Sequence, residues 1–460
     1  MLKEMLRTPS LGYTPIGLVD DDPRKRNMRL HGIRVLGTTD DLAHLLRDRR
    51  PDEVLIAIPS ASGSQRARIV EIARAENVAV KTLPGLHELI AGDLDLANQI
   101  RPVEVEDLLG REPVEVDVDA IASYVQGKTV LVTGAGGSIG SELCRQLARA
   151  EPQRIVMFDQ AESALFEIER ELVDERRFSA CVPVLADVRD RRRLNEVFER
   201  YRPDVVFHAA AYKHVPLMEA NPLEAVRNNA VATRIVAAAA GEAGAERFVL
   251  VSTDKAVSPA TVMGASKALA EWAVEAAQNR WKGTRYSSVR FGNVLGSSGS
   301  VVPIFRRQIA QGGPVTVTDE KMTRYFMTIP EAVQLIIRSG ELSTGGEVFV
   351  LEMGDPVKIA DLARNMIRLA GLEPEVDIAV EIIGRRPGEK IHEELFNPGE
   401  RPEPTPAERI VCAVKPPLEP DWVESAFLRI EELVYAGDAA ALAGAVAALS
   451  VERALAIQGG

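Results

Sequence analysis

Residues 128–140 read Lys128-Thr129-Val130-Leu131-Val132-Thr133-Gly134-Ala135-Gly136-Gly137-Ser138-Ile139-Gly140, and the fold is decided by this stretch. The β-branched run Thr129–Thr133 predicts a buried parallel strand. It leads into Gly134, Gly137 and Gly140, then into Ser141-Glu142-Leu143-Cys144-Arg145-Gln146-Leu147, which has helical spacing. The glycines have separate tasks: a tight turn, close approach of backbone to a pyrophosphate, and close packing of helix on strand. Ser138 and Ile139 open the helix, whose N-terminus presents unpaired N–H groups and a positive dipole end to phosphates. A second strand, 154–158, ends in Asp159, nineteen residues after Gly140. An acid at that distance accepts adenosine ribose hydroxyls and repels a 2′-phosphate, so the pattern reads as NAD rather than NADP.

Composition bounds the rest. At 460 residues the chain is long enough for two or three domains. Its 46% hydrophobic and 27% charged residues are those of an ordinary globular protein. A net charge of −12 argues against nucleic acid, whose phosphates demand a basic surface. Cys144, Cys181 and Cys412 are odd in number and far apart, which suggests a reducing compartment with no disulfide frame and no metal site. No signal peptide is visible, and no run reaches the roughly 18 apolar residues of a membrane span, so a cytoplasmic protein is expected.

Within residues 1–100, strands expected at 14–20, 32–37, 53–59 and 78–83 alternate with helical patterns, one capped by Asp40 and one over 64–77. This predicts a small Rossmann-like domain, incomplete at its N-terminus. Its first strand and glycine-rich loop are missing from the numbering, and it is expected to bind no nucleotide. Residues 101–126 read as a charged connector. Strands expected at 182–185, 205–207, 248–251 and 287–291, separated by helices, make 127–416 a doubly wound parallel sheet. Its looser part, about 294–400, reads as a substrate-binding lobe, and 417–460 as a helical segment without chemistry.

Ligands on such sheets bind at the carboxyl ends of the strands. Asp187 and Val188 suit the adenine there, although a plain turn aspartate reads equally well. In His208-Ala209-Ala210-Ala211-Tyr212-Lys213-His214, the small Ala209 and Ala210 let backbone approach a cofactor, and Lys213 and His214 are placed to reach a substrate. His208 reads as a packed residue. In Ser252-Thr253-Asp254-Lys255-Ala256 a hydroxyl, an acid and a base stand side by side where a nicotinamide would lie; an exposed ion pair on a turn is the plainer alternative. Met263 and Lys267, four apart, share a helix face. Short-chain dehydrogenases carry Tyr-x-x-x-Lys here, the Tyr exchanging a proton with the reacting alcohol and the Lys binding ribose. Here the tyrosine position holds Met263.

At this point the sequence resembles the extended short-chain dehydrogenase/reductase superfamily. Within it, the chain is similar to the bacterial polysaccharide-biosynthesis UDP-N-acetylglucosamine 4,6-dehydratases of the large, often membrane-tethered type. The matching segments are the glycine-rich turn 133–140, HAAAYKHVPLME at 208–219, STDKAV at 252–257, MGASK at 263–267, MTRYFMTIP at 322–330 and GRRPGEKIHEEL at 384–395. Methionine for tyrosine marks the configuration-retaining type. The resemblance implies an NAD-dependent hydro-lyase acting on a UDP-sugar for polysaccharide biosynthesis: C4 is oxidised, the C5 proton and C6 hydroxyl are lost, and C6 is reduced. It implies Lys255 as the C5 base, Asp254 as the acid at C6 and Thr253 on O4. Lysine ordinarily stays protonated to about pH 10, so such a base needs burial or a neighbouring cation, with Lys267 and the oxidised nicotinamide the candidates. The resemblance further places Asn229 behind the site, Arg324, Arg386 and Lys390 on the diphosphate, and Asn293 with Val294 along the cleft. Relatives of this fold pair through helices, so a homo-oligomer is expected; membrane-tethered relatives make the inner membrane face the alternative location. Two other readings remain. A C4 epimerase of the same fold has no need of an Asp-Lys pair, and a non-catalytic NAD-binding regulator has only Met263 in its favour.

Overall fold

In a computed structural model, residues 1–8, 12–58, 61–83, 100–104, 107 and 123–459 are described. Pro59 and most of the expected connector lie outside them. The chain forms two compact units: Met1–Val116 with Phe305–Thr316 and Ala360–Glu381, and Asp117–Ile304 with Val317–Ile359 and Ile382–Gly460.

In the first unit, helix α1 (Leu2–Arg7) precedes β1 (Leu18–Val19), β2 (Arg29–Leu30) and β3 (Ile33–Gly37). Then follow α2 (Leu42–Arg49), β4 (Glu53–Ile56), α3 (Gly63–Ala75), β5 (Ala79–Thr82) and β6 (Arg101–Pro102). Two three-stranded sheets result, β1-β3-β2 and β4-β5-β6, with β1·β3 and β4·β5 parallel. Leu42, Leu46, Ala73 and Val78 make their common core. The expected cap at Asp40 is corrected: Asp41 accepts the Thr38 N–H at 3.0 Å, while Asp40 pairs with Arg68. An acid on the third residue reaches back to the N-cap amide; one on the second does not.

In the second unit, β7 (Thr129–Thr133) is fully buried and runs into α4 (Ser138–Arg149). Then come β8 (Arg154–Asp159), β9 (Cys181–Leu185), β10 (Val205–His208), α5 (Ala232–Ala243), β11 (Arg247–Val251), α6 (Val262–Arg280), β12 (Arg285–Arg290) and β13 (Glu347–Leu351). A hairpin, β14 (Arg401–Pro404) and β15 (Ile410–Val414), adds two antiparallel strands at the edge. The order is β14-β15-β13-β12-β11-β10-β7-β8-β9, parallel from β13 to β9. The chain steps outward from β7 through β8 to β9, then returns to lay β10 on the other side of β7. That reversal opens a crevice at the strand ends between β7 and β10.

Two C-terminal helices, α7 (Pro420–Ala436) and α8 (Ala439–Gly459), pack on α6. Phe427, Ile430, Leu442 and Val446 cover Ala268, Leu269 and Trp272, and the rings of Trp272 and Trp422 lie 5.2 Å apart. This face of α6 is thus covered by the chain itself. Among the described residues, no helix is long and apolar enough to cross a membrane.

Candidate active site

The crevice beside β7 is built from backbone. Gly134 has φ +68°, and a Cβ there would lie 2.7 Å from the amide nitrogen of Ala210. A Cβ on Gly140 would lie 1.9 Å from the Gly134 carbonyl oxygen, so helix and strand could not close. Gly137 is the N-cap of α4, with Ser138, Ile139 and Gly140 in its first turn. Asp159 at the end of β8 accepts the amides of Gly136 and Ala161, both at 2.8 Å, one on each carboxylate oxygen. A carboxylate has further acceptor sites beyond these two bonds, Asp159 is only partly buried, and these residues fit a dinucleotide. His208 is buried: its Nδ1 contacts the Thr133 hydroxyl at 2.6 Å and its Nε2 that of Thr233 at 2.9 Å. Burial, helped by Lys267, lowers its pKa to about 3, so it is a neutral strut under the crevice. Asp187 ends β9's exit loop in an ion pair with Arg189, which holds its carboxyl below the usual range; Val188 is buried behind it.

The turn after β11 holds the reactive groups. Thr253 caps a short 3-10 turn, Asp254–Ala256, and the Asp254 amide donates to the Phe291 carbonyl at 3.0 Å. Asp254 is wholly buried. Its Oδ1 accepts from the Thr253 hydroxyl at 3.0 Å and from Lys255 Nζ at 2.9 Å, and its buried Oδ2 has no hydrogen-bond partner. Lys255 Nζ also donates to Asn293 Oδ1 at 2.9 Å. Hydroxyl, acid, amine and amide thus meet at one point, which was legible in the sequence only as adjacency. The partner of Lys255 Nζ in the structure is the Asp254 carboxylate. Lys267 is buried with Nζ on the Val251 carbonyl at 2.8 Å, and burial lowers its pKa to about 8.

Several residues that position this turn escaped sequence reasoning. The N-terminus of α6 rests directly on it, because Gly264 lacks a Cβ that would lie 2.3 Å from the Lys255 carbonyl oxygen. Glu271, two turns into α6, accepts from the Ser252 hydroxyl at 2.6 Å and pairs with the buried Arg290 at 2.7 Å. Arg290 also pairs with Glu400 at 2.6 Å. Glu393 has a 6% exposed side chain, 3.7 Å from Arg324. For Glu271 and Arg290 the sequence signal was a charge between apolar neighbours, whereas Glu393 and Glu400 lie among polar residues and carried none.

Four expected roles are corrected. Met263 is packed with Met218 and Ala225 against Tyr212 and Val215, and its thioether exchanges no proton. Asn229 is buried and offers no free N–H to a substrate. It accepts the Tyr212 amide at 2.8 Å and donates to the Tyr212 carbonyl at 2.9 Å and to Ser266 Oγ at 3.0 Å, so it fixes the 209–214 loop. Arg324 is buried, and its guanidinium donates to the carbonyls of Thr323, Ile391 and Lys390, which clamps 390–391 in place of a diphosphate. Lys390 Nζ donates to the Val257 carbonyl at 2.9 Å and tethers the same segment to the reactive turn. For Asn229 and Arg324 the reason is the same: a buried donor must find an acceptor within the fold. Arg386, Lys213 and His214 are exposed and Val294 partly so. The His214 ring lies beside Gly299, where a Cβ would come within 2.4 Å of its Cε1.

This crevice and sheet order define a dinucleotide-fold protein of the short-chain dehydrogenase/reductase kind. A family model described as "Polysaccharide biosynthesis protein" matches residues 130–415, and the chain belongs to that family. A model described as "CoA-binding domain" matches residues 1–84. The chain is 48% identical over 403 residues, 87% of its own length and 67% of the relative's, to the capsular polysaccharide biosynthesis protein CapD of Staphylococcus aureus. It is 36% identical over 276 residues, 59% of its length and 78% of the relative's, to the UDP-N-acetylglucosamine 4,6-dehydratase (inverting) of Campylobacter jejuni. Among solved structures, Pen from Bacillus thuringiensis matches with a TM-score of 0.59 at 33% identity, over 64% of this chain and 89% of that one.

Proposed function

We propose that the protein is a UDP-N-acetylglucosamine 4,6-dehydratase of the configuration-retaining, Met-for-Tyr type. One observation carries the reading: Lys255 Nζ, Asp254 and the Thr253 hydroxyl converge within 3.0 Å at the end of β11, beside the dinucleotide crevice. Gly134, Gly137 to Gly140, Ala209, Ala210 and Asp159 would hold NAD, with Asp187, Val188 and Lys267 at its periphery. Bound there, NAD supplies the electron sink at C4 of the sugar and the reductant at C6.

The chain's own groups do the proton work. Proton transfer across the 2.9 Å Lys255–Asp254 contact turns an ion pair into an amine and a carboxylic acid. The amine then removes the C5 proton, and the acid protonates the departing C6 hydroxyl. Thr253 hydrogen-bonds O4, and Asn293 keeps the amine on its carboxylate's side. Low solvent access around Asp254 strengthens each of these interactions. Arg386, Lys213 and His214 are the exposed cations and imidazole left to meet a diphosphate-sugar. The reaction belongs to polysaccharide precursor synthesis in the cytoplasm or at the inner membrane face, and the active form is a homo-oligomer.

Proton NMR of UDP-N-acetylglucosamine incubated with the protein in deuterated water tests this. The expected product is a 4-keto-6-deoxy sugar with deuterium at C5 and unchanged configuration there. Inversion at C5 would remove the retaining assignment. A C4 epimer would replace the dehydratase with the epimerase. No reaction with any UDP-sugar, with NAD bound, would leave the regulatory reading.

A further inference from the structure

A cavity of about 30 Å³ lies against the reactive turn. Ala256 and Ser258 line it from the turn, Glu271, Arg290 and Glu400 from the buried charge cluster, and Arg453 from α8. Contact alone does not balance these charges. Arg290 pairs with both Glu271 and Glu400, at 2.7 and 2.6 Å, so one guanidinium serves two carboxylates, and none of the three side chains is more than 2% exposed. Glu271 has a second cation one turn away in Lys267, whose charged form it favours. Among the described residues Glu400 pairs with no other cation. Lys415, which also lines the cavity, is taken by Glu275 at 2.8 Å. Arg453 remains. It is 8% exposed, its Nη2 donates to the Pro416 carbonyl at 2.6 Å, and its Nε is buried without a hydrogen-bond partner. A guanidinium cannot shed its proton, so a buried one with an unspent donor is costly unless an acceptor answers it. The carboxylates whose charges act on Arg453 are Glu275 and Glu400. A cavity of this size takes about two waters at roughly 10–15 Å³ each, room to relay the N–H to a carboxylate.

Resting on the dehydratase reading, we propose that Arg453 is a positioning residue, which supplies across this cavity the second positive charge that the Glu271–Arg290–Glu400 cluster needs to hold the reactive turn. Glu271 accepts the Ser252 hydroxyl just before the turn. Glu400 accepts from Asn397, which in turn accepts the Ser258 amide at 2.8 Å just after it. Without Arg453 the cluster sets two carboxylates against one guanidinium where solvent screens little, and its grip on the two serines loosens. Asp254 and Lys255, between those serines, then lose their alignment on the sugar, while the glycine-rich turn is untouched. The last helix of the chain carries no reacting group, yet it sets the geometry of the groups that react.

Arg453→Met keeps an unbranched stem and removes the charge. Its kcat for UDP-N-acetylglucosamine is expected to fall about 10–10²-fold, the loss that a slight misplacement of reacting groups produces, with KM and bound NAD unchanged. Arg453→Lys, which retains a cation, recovers most of the rate. Glu400→Gln removes the surplus carboxylate, so Arg453→Met costs less in that background than in the unaltered protein, in kcat and in Tm alike. An undiminished kcat, a rise in KM at constant kcat, no recovery in Arg453→Lys, or equal losses with and without Glu400→Gln would each overturn the assignment. Should Arg453→Met fail to fold, the double variant decides: folding regained with Glu400→Gln supports the charge balance, and failure there overturns it. Unaltered protein that dehydrates no UDP-sugar removes the dehydratase reading, while the Tm comparison still decides whether Arg453 answers Glu400.

Discussion

Ser252 and Ser258 are the two ends of one buried hydrogen-bond chain that closes around the Thr253–Val257 turn. Ser252 donates to Glu271, Arg290 joins Glu271 to Glu400, Asn397 Nδ2 donates to Glu400 at 3.0 Å, and the Ser258 amide donates to Asn397 Oδ1 at 2.8 Å. The turn carrying Asp254 and Lys255 is therefore held at both ends by the same guanidinium. Such a chain stabilises only while intact, since removing one member strands a buried charge.

The carboxyl of Glu400 is held down to about 2, against 4.5 ordinarily, by Arg290 and Asn397 working against burial. Below pH 4.5 the unfolded chain binds a proton that the folded one refuses. The stabilisation is thus complete above pH 4.5 and is lost as pH falls toward 2. Thermal unfolding from pH 6 to 2 should show a steep fall in Tm for the unaltered protein. Glu400→Gln should start lower and fall less; parallel curves would remove this carboxyl from the acid transition.

Lys255→Ala and Asp254→Asn should each lower dehydration about 10²–10⁴-fold, the usual contribution of a general base or acid. Bound NAD, read from absorbance after denaturation, should not change, because neither side chain lines the glycine-rich turn. Full turnover in Lys255→Ala would remove its assignment as the C5 base.

Gly140→Ala and Gly134→Ala place a methyl against backbone, which cannot yield as a flexible side chain does. Gly140→Ala, with a contact of 1.9 Å, should unfold or expel dinucleotide outright. Gly134→Ala adds strain at φ +68° and should weaken NAD binding more than tenfold, about 1.4 kcal/mol, by calorimetry. Gly137→Ala, at 3.2 Å from the Gly134 carbonyl, should be the mildest of the three.

Met263→Leu conserves volume in an apolar cluster and should cost under about 1.5 kcal/mol in urea unfolding, with turnover kept. Met263→Tyr brings a hydroxyl among Met218, Ala225 and Val215. An unpaired buried hydroxyl costs about 1–3 kcal/mol, so Tm should drop with no gain in turnover. A large loss of turnover in Met263→Leu would make the thioether itself part of the chemistry.

The sequence alone determined the parallel sheet, its glycine-rich turn and the strand ends that carry Asp159, Asp254 and Lys255. These are local facts: a β-branched run, a glycine where a Cβ clashes, and a side chain one step past a strand. It also determined the packed character of His208, through its place inside a small-residue strand end. Only the tertiary structure decided which charges are spent. Arg324, Lys390 and Asn229 look like ligands in the sequence, yet each is drawn inward to satisfy carbonyls and amides from segments distant along the chain. Glu271 and Arg290 are charges whose burial against the reactive turn no spacing announces. A residue's type and spacing fix what it can donate or accept. Which partner it meets depends on contacts far apart in the chain, 110 residues between Arg290 and Glu400 and 139 between Ser258 and Asn397, and these exist only once the sheet has formed.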